Sequence, residues 1–328
     1  MPVPPVIAVL LPCHNEEQAI GQVVRAFQTA LPQARIFVYD NNSTDQTAQM
    51  AREAGAEVRH EPRQGKGHVV RRMFADIEAD IYVMADGDGT YEAMSAPDMI
   101  VRLLAGQLDM VVGSRRDTGA GEEYRPGHRF GNRLLSKAVA LLFGHGFSDM
   151  LSGYRVFSRR FVKTFPAHSQ GFEIETELTV HALHLNLPCQ EHATRYFARA
   201  QGSTSKLNTY QDGLRIMLMI LLLAKEARPF AFFGLIALAL TLTAILLAIP
   251  IFITFFETGL VPRIPTAVLC LGMVIMASIS LTSGIILHSI SRTRTEMHRH
   301  HYLNQPPVSF DPASFQPQGS ASPCPPLP

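Results

Sequence analysis

Tryptophan is absent from this 328-residue chain, which removes any motif built on an indole ring. Cysteine is scarce: the four at positions 13, 189, 270 and 324 show no CxxC spacing, so neither a zinc site nor a disulfide framework is expected, and reducing surroundings are implied. Charge is also low, at 17% of residues against about 25% in an ordinary soluble protein. Neither sign dominates, with 29 Lys plus Arg against 28 Asp plus Glu, which excludes a disordered polyelectrolyte and a chain that coats nucleic acid. No GxGxxG follows a strand-like run and no GxxxxGK[ST] occurs, so an ordinary dinucleotide fold and a P-loop are disfavoured. The N-terminus lacks a basic region followed by a long apolar run, and no signal peptide is expected.

The apolar residues are concentrated. Phe230 to Phe256 runs 27 residues without a charge, and Ile264 to Leu287 runs 24 more. At a helical rise of about 1.5 Å per residue each crosses a hydrocarbon core of about 30 Å. Two spans, 230–256 and 264–287, joined by a short extracytoplasmic loop over 257–263, predict a hairpin with both flanks on one side. Arg215, Lys225 and Arg228 precede the spans and Arg292, Arg294 and Arg299 follow them, against Arg263 alone in the loop. The positive-inside rule therefore puts residues 1–207 in the cytoplasm, with a bacterial inner membrane as the expected setting. The segment 208–229, apolar from Leu214 to Ala224, is expected to lie in the membrane interface. Residues 288–328, rich in Pro, Ser and Gln toward the end, are expected to form a disordered cytoplasmic tail.

Residues 6 to 115 alternate apolar strand-like runs (Val6–Leu11, Arg35–Tyr39, Ile81–Ala85, Met110–Val112) with amphipathic stretches (Glu16–Ala30, Thr44–Ala54, Lys66–Glu78, Pro97–Leu104). Ser43 or Thr44 would cap the second helix, and Pro97 suits the first turn of the fourth. This βαβα rhythm predicts an α/β fold: a mostly parallel sheet with helices on both faces. Ligands in such sheets sit beyond the carboxyl ends of the strands. The residues there are Pro12-Cys13-His14-Asn15-Glu16, Asp40-Asn41-Asn42-Ser43, Asp86-Gly87-Asp88-Gly89 and Gly113-Ser114-Arg115. Asp86 and Asp88, two carboxylates one small residue apart at the exit of a buried strand, are a hard oxygen site suited to Mg²⁺ or Mn²⁺ held together with phosphate oxygens; a plain Asp/Gly turn is the other reading of the same residues.

In order along the chain, these motifs resemble the GT-A glycosyltransferases of family two, and among them the polyprenyl-phosphate type typified by dolichol-phosphate mannose synthase. The matching segments are Leu11 to Glu17, Tyr39 to Thr47, Gly65-Lys66-Gly67, Asp86-Gly87-Asp88, Gly113-Ser114-Arg115, Asp149 to Arg155 and Gly202 to Lys206. Two C-terminal spans also resemble the bacterial members that act on undecaprenyl phosphate. The resemblance implies a GT-A (Rossmann-like) domain and metal-dependent, inverting transfer of a hexose from a UDP- or GDP-sugar to undecaprenyl or dolichyl phosphate. It implies that Pro12, His14, Glu16, Asp40, Lys66 and Asp86 cradle the donor and that Asp86 and Asp88 hold the metal. Asp88 and Asp149 are the catalytic candidates, Asp149 as an orienter of sugar or acceptor. Arg115, Arg129, Arg133 and Ser136 are the candidates for the acceptor phosphate, with the choice among the arginines open. Departures from the family pattern are Asn41 and Asn42 for an Asp and a Gly, His14 for a Tyr, and Thr90 where some members have Gln. Of the acids in Gly171 to Glu177, Glu175 is the best sugar-contact candidate, although a structural role at a helix start fits the group. The partners implied are the sugar nucleotide, the lipid phosphate and the membrane, with homo-oligomerisation left open. A processive synthase would carry a Q-x-x-R-W motif, which a chain without tryptophan cannot have; a catalytically silent membrane scaffold is the alternative from another class.

Overall fold

A computed structural model of the chain describes residues 4–116, 139, 147–167, 169, 171, 173–197, 222, 225–226 and 228–306. They fall into two units, residues 1–209 with 298–328, and residues 210–297.

The first unit is built on a seven-stranded sheet of order β3-β2-β1-β4-β6-β5-β7. The strands are β1 (Ile7–Cys13), β2 (Arg35–Asp40), β3 (Glu57–His60), β4 (Ile81–Met84), β5 (Met110–Arg116), β6 (Arg155–Ser158) and β7 (Cys189–Arg195). All pairs are parallel except those of β6, which runs antiparallel to both β4 and β5. Among the described residues before 198, the α-helices of this unit are α1 (Ile20–Ala30), α2 (Thr47–Glu53), α3 (Lys66–Asp76), α4 (Ala96–Ala105), α5 (Arg159–Thr164) and α6 (Ile174–His184). Alternation along the pleat sends successive side chains to opposite faces. Ile7, Val9, Leu11, Val83 and Val156 join Val24 and Phe27 of α1 and Ile100 and Leu103 of α4 in one core. On the other face Phe74 of α3 meets Tyr82, Phe157 and Phe165 edge to face, and Phe157 stacks on Phe161. The central strands are buried on both sides, which explains their nearly unbroken apolar sequence.

Expected and observed elements differ at their ends. Pro97 does lie in the first turn of α4. The cap expected at Ser43 or Thr44 does not form: α2 begins at Thr47 after Gln46, because both residues are engaged with the loop after β1. Ser43 Oγ accepts from the Asn15 N–H at 2.9 Å, and the Thr44 N–H donates to Asn15 Oδ1 at 2.8 Å. Asp45 instead closes the turn, accepting from the Thr47 N–H at 3.0 Å.

The second unit holds most of the two long apolar helices, α7 (Pro229–Thr258) and α8 (Ile264–Leu303), each long and apolar enough to cross a membrane. Pro250 lies inside α7, and Gly259 closes that helix in the left-handed conformation. Apart from Pro229 at the start of α7, the buried positions of the pair are small: Ala237 and Ala244 on α7, and Cys270, Ala277 and Gly284 on α8. Both sets recur at intervals of seven, the spacing of a helix–helix seam, and small residues let apolar helices approach closely. At Gly284 an added Cβ would lie 3.0 Å from Phe233 Cβ, and Ser280 Oγ donates to the Phe233 carbonyl at 3.0 Å.

The expectation that 288–328 forms a disordered tail is corrected over its first part, because α8 continues to Leu303. After Gly284 no Gly or Pro interrupts the sequence until Pro306, and Arg292 pairs with Glu296 one turn on. Within the first unit, the Tyr302 hydroxyl donates to Asp109 Oδ2 at 2.8 Å and accepts from Arg160 at 3.0 Å. The interfacial segment 208–229 lies almost wholly outside the described residues, as do 307–328.

Candidate active site

Parallel pairing brings the carboxyl ends of β1, β2, β4 and β5 to one edge of the sheet. The antiparallel run of β6 adds a fifth segment, since Arg155, at its start, pairs with Met84 at the end of β4 and with Val112 inside β5. The loop from Asp149 to Tyr154 therefore reaches the same rim.

The loops after β1 and β2 are laced together. Besides the Asn15 contacts, the Glu16 N–H donates to Thr47 Oγ1 at 2.7 Å and the Glu17 N–H to Asp45 Oδ2 at 3.2 Å. Asn41 fixes the approach to α3: its amide donates to the carbonyls of Glu61 and Arg63 at 2.9 and 2.7 Å and accepts from the Gly65 N–H at 2.7 Å. Asn42, in place of a family glycine, has φ 60°, a left-handed conformation that Asn tolerates better than most residues. These two departures thus serve the backbone. Asp40 is buried, with Oδ1 lacking a hydrogen-bond partner among the described residues and Oδ2 at 3.4 Å from His60 Nδ1. His14 Nε2 lies 3.3 Å from Gln64 Nε2, which ties the β1 loop to the segment before Lys66. Pro12 and Cys13 are the last two residues of β1, in register with Tyr39 and Asp40.

Asp86-Gly87-Asp88 follows β4 on top of this framework. A Cβ at Gly87 would stand 2.3 Å from Cys13 Sγ, so the central residue can have no side chain without displacing the thiol. Asp88 is buried and oriented by Thr90, whose hydroxyl donates to Asp88 Oδ1 at 2.7 Å. Asp86 packs against Gly153, where a Cβ would meet Asp86 Oδ2 at 2.7 Å. Burial first, and then the negative charge of Glu16, Asp86, Asp40 and Asp88, push the Cys13 thiol well above its usual pKa. Carboxylates from three strand ends therefore converge around one sulfur.

Lys66, the first residue of α3, donates to Asp86 Oδ1 at 2.5 Å and to Glu175 Oε1 at 2.5 Å. Burial alone would favour the neutral amine, but the two carboxylates outweigh it and raise the pKa, keeping the ammonium charged. Arg115 grips Asp149 with both arms of its fork, Nε to Oδ2 and Nη2 to Oδ1, each at 2.7 Å. Burial would raise the Asp149 pKa, yet the Arg115 hydrogen bonds and charge hold it below the usual value. Glu191 of β7 secures the same loop, accepting from the N–H groups of Ser148 and Asp149 at 2.7 and 3.2 Å. Asp149 is thus an ion-pair partner of Arg115 at this rim.

Among the described residues no group of three His, Cys, Asp or Glu side chains forms a closed metal cage. The donor set still fits a divalent ion, because two hard carboxylates leave coordination positions for diphosphate oxygens and water, as Mg²⁺ prefers. Arg129, Arg133, Ser136 and residues 202–206 lie outside the described residues.

Sequence reasoning gave no role to Arg155, the end of the matched segment from Asp149, a guanidinium with no solvent exposure that bonds the carbonyls of Ser152, Met150 and Glu175 and the hydroxyl of Thr179 at 2.7 to 2.9 Å. Burial lowers its pKa to about 10. It ties the Asp149 loop to the first turn of α6. It also missed Tyr91, whose hydroxyl accepts from the Gly153 N–H at 2.9 Å beside Asp86.

Residues 8–165 match the sequence family described as Glycosyl transferase family 2. The glycosyltransferase AglJ of Haloferax volcanii is 36% identical over 255 residues, covering 76% of this chain and 82% of that protein. The chain belongs to glycosyl transferase family 2. A dolichyl-phosphate hexose transferase of Haloferax volcanii is 30% identical to this glycosyltransferase over 153 residues, 47% of this chain and 66% of that protein. Among solved structures, glucosyl-3-phosphoglycerate synthase from Mycobacterium tuberculosis in complex with Mn²⁺, UDP and phosphoglyceric acid has a TM-score of 0.56 at 22% identity, covering 68% of this chain and 78% of that one. That likeness establishes the GT-A-like fold.

Proposed function

We propose that this glycosyltransferase moves a hexose from a nucleoside diphosphate sugar to the phosphate of a polyprenyl phosphate, undecaprenyl or dolichyl, at the cytoplasmic membrane face, with inversion at the anomeric carbon. The observation that carries the reading is the Asp86-Gly87-Asp88 turn at the rim, flanked by Lys66 on one side and the Arg115–Asp149 pair on the other, in a chain with two membrane-length helices. The relative named as a dolichyl-phosphate hexose transferase supports the acceptor class, and the Mn²⁺ and UDP held by the solved fold relative support the donor class.

In this reading Asp86 and Asp88 hold Mg²⁺ or Mn²⁺, which when bound neutralises charge on the departing diphosphate. Pro12, His14, Glu16 and Asp40 line the donor side. A polyprenyl monophosphate has a second pKa of about 6, so its attacking oxygen is largely ionised at neutral pH and needs positioning more than deprotonation. Ser136 and an arginine from among Arg115, Arg129 and Arg133 take the acceptor phosphate. Asp149 orients sugar or acceptor while holding Arg115. Residues 1–207 form the catalytic domain, 208–229 lie in the interface, and 230–256 and 264–287 span the bilayer, with Arg263 in the outer loop and the basic flanks inside.

The test is a panel of UDP- and GDP-hexoses offered to the purified full chain with undecaprenyl phosphate and Mg²⁺. A metal-dependent glycolipid from one donor, with its anomeric configuration opposite to the donor's by NMR, is expected. Sugar release to water or to soluble acceptors alone would overturn the acceptor assignment, and retained configuration would overturn inversion.

A further inference from the structure

The Lys66 ammonium is shared by two carboxylates from different elements, Asp86 after β4 and Glu175 in the first turn of α6. All three groups are held from outside. The Gly65 N–H before Lys66 is fixed by Asn41, the Glu175 carbonyl is fixed by Arg155, and Asp86 backs onto Gly153. The Lys66 and Glu175 side chains are only 9% and 6% exposed, whereas Asp86 is 29% exposed. Glu175 Oε2 is buried and has no hydrogen-bond partner among the described residues. One oxygen able to accept from an ammonium is therefore unspent, on the buried side of the lysine, while the lysine's other partner is the more open Asp86.

Resting on the reading of Asp86 as a metal ligand, we infer that Lys66 is an exchangeable counter-ion. It holds Asp86 while no divalent ion is bound and withdraws onto Glu175 when one takes Asp86. Glu175 is then a positioning residue that sets the metal affinity by competing with Asp86 for one ammonium. The two carboxylates cannot both be left without a cation in so enclosed a place, and they do not need to be, since the ammonium can be retained by Glu175 through both oxygens. Glu175 need not touch the metal to act on it.

The experiment titrates the full-length protein in detergent with Mn²⁺ alone, without nucleotide, following the free-ion signal by electron paramagnetic resonance. Lys66→Met removes the competitor and tightens Mn²⁺ binding about tenfold. Glu175→Gln leaves Lys66 with Asp86 alone and weakens binding by a similar factor. In the Lys66→Met background Glu175→Gln weakens binding by a clearly smaller factor than in the parent, because the competition for the ammonium is gone and only the field of the carboxylate is lost. An equal loss in both backgrounds would mean that Glu175 acts on the metal directly and would overturn the inference, as would unchanged or weaker binding by Lys66→Met. Lys66→Gln, which keeps a polar group in the cleft, gives the same comparison if the methionine variant does not fold. Asp88→Asn separates the two levels: if it binds Mn²⁺ as tightly as the parent, the metal-site reading has failed, and if its binding is lost while the lysine variants match the parent, only the exchange has failed.

Discussion

Replacing Gly87 by alanine tests the placement of the Asp86-Gly87-Asp88 turn on the β1 loop. The new Cβ would lie 2.3 Å from Cys13 Sγ and 3.4 Å from Ile20 Cδ1. Favourable contacts between heavy atoms lie near 3.5 to 4.0 Å, so more than about 1 Å must be found. It cannot come from the thiol alone, because Cys13 is the buried last residue of β1, paired with β2. Overpacking of this kind costs about 1–3 kcal/mol, equivalent to roughly 2–10 °C in the melting temperature of a domain of this size. The turn itself must move, carrying Asp86 and Asp88, and under the proposed role of this pair a displacement of about 1 Å costs on the order of a hundredfold in rate. Cys13→Ala removes the obstructing sulfur and leaves the Cys13 Cβ position 3.6 Å away, so the double variant recovers most of the stability and activity lost by Gly87→Ala. Melting curves and initial rates on the four proteins of this cycle measure the coupling. A Gly87→Ala protein as active and stable as the parent, or a deficit that Cys13→Ala does not relieve, refutes the packing argument.

Two further outcomes follow from the geometry. Arg115 holds the Asp149 pKa below its unfolded value, so this carboxylate stabilises the fold above about pH 4 and loses that contribution as the pH falls through the folded value; Asp149→Asn is therefore less stable than the parent by about 2–5 kcal/mol at neutral pH, and thermal melts show the gap closing only below about pH 4. At the helix seam Gly284→Leu meets Phe233 and lowers the melting temperature in detergent, while Gly234→Leu, where nothing lies within 4 Å, leaves it unchanged; equal effects at both glycines would remove the seam.

Much of the site was legible because parallel strands buried on both faces announce themselves as apolar runs, and the polar residues that end them have few structural reasons to be there. Asp40, Asp86 and Asp88 became candidates this way. The carboxyl-rim rule places their loops together without any knowledge of contacts. What was hidden depends on pairing across long sequence distances. β6 begins with a fully buried arginine and ends with serine, and β7 is mostly polar, so neither reads as a strand in isolation. The Arg155 network exists only once α6 and the 150–152 turn meet it. The α2 cap failed for a related reason: Ser43 and Thr44 have the right chemistry, but the β1 loop claims it first. The continuation of α8 beyond its apolar run was legible in principle from the lack of Gly and Pro, but the change to polar composition hid it.

The central claim is that Asp86 and Asp88 make this a metal-dependent transferase acting on a lipid phosphate. Its most direct measurement is the rate at which purified Asp88→Asn protein transfers radiolabelled sugar from its nucleotide to undecaprenyl phosphate in the presence of Mg²⁺. The account predicts a loss on the order of a thousandfold with the protein still folded and membrane-inserted. Turnover within a few-fold of the parent would contradict it.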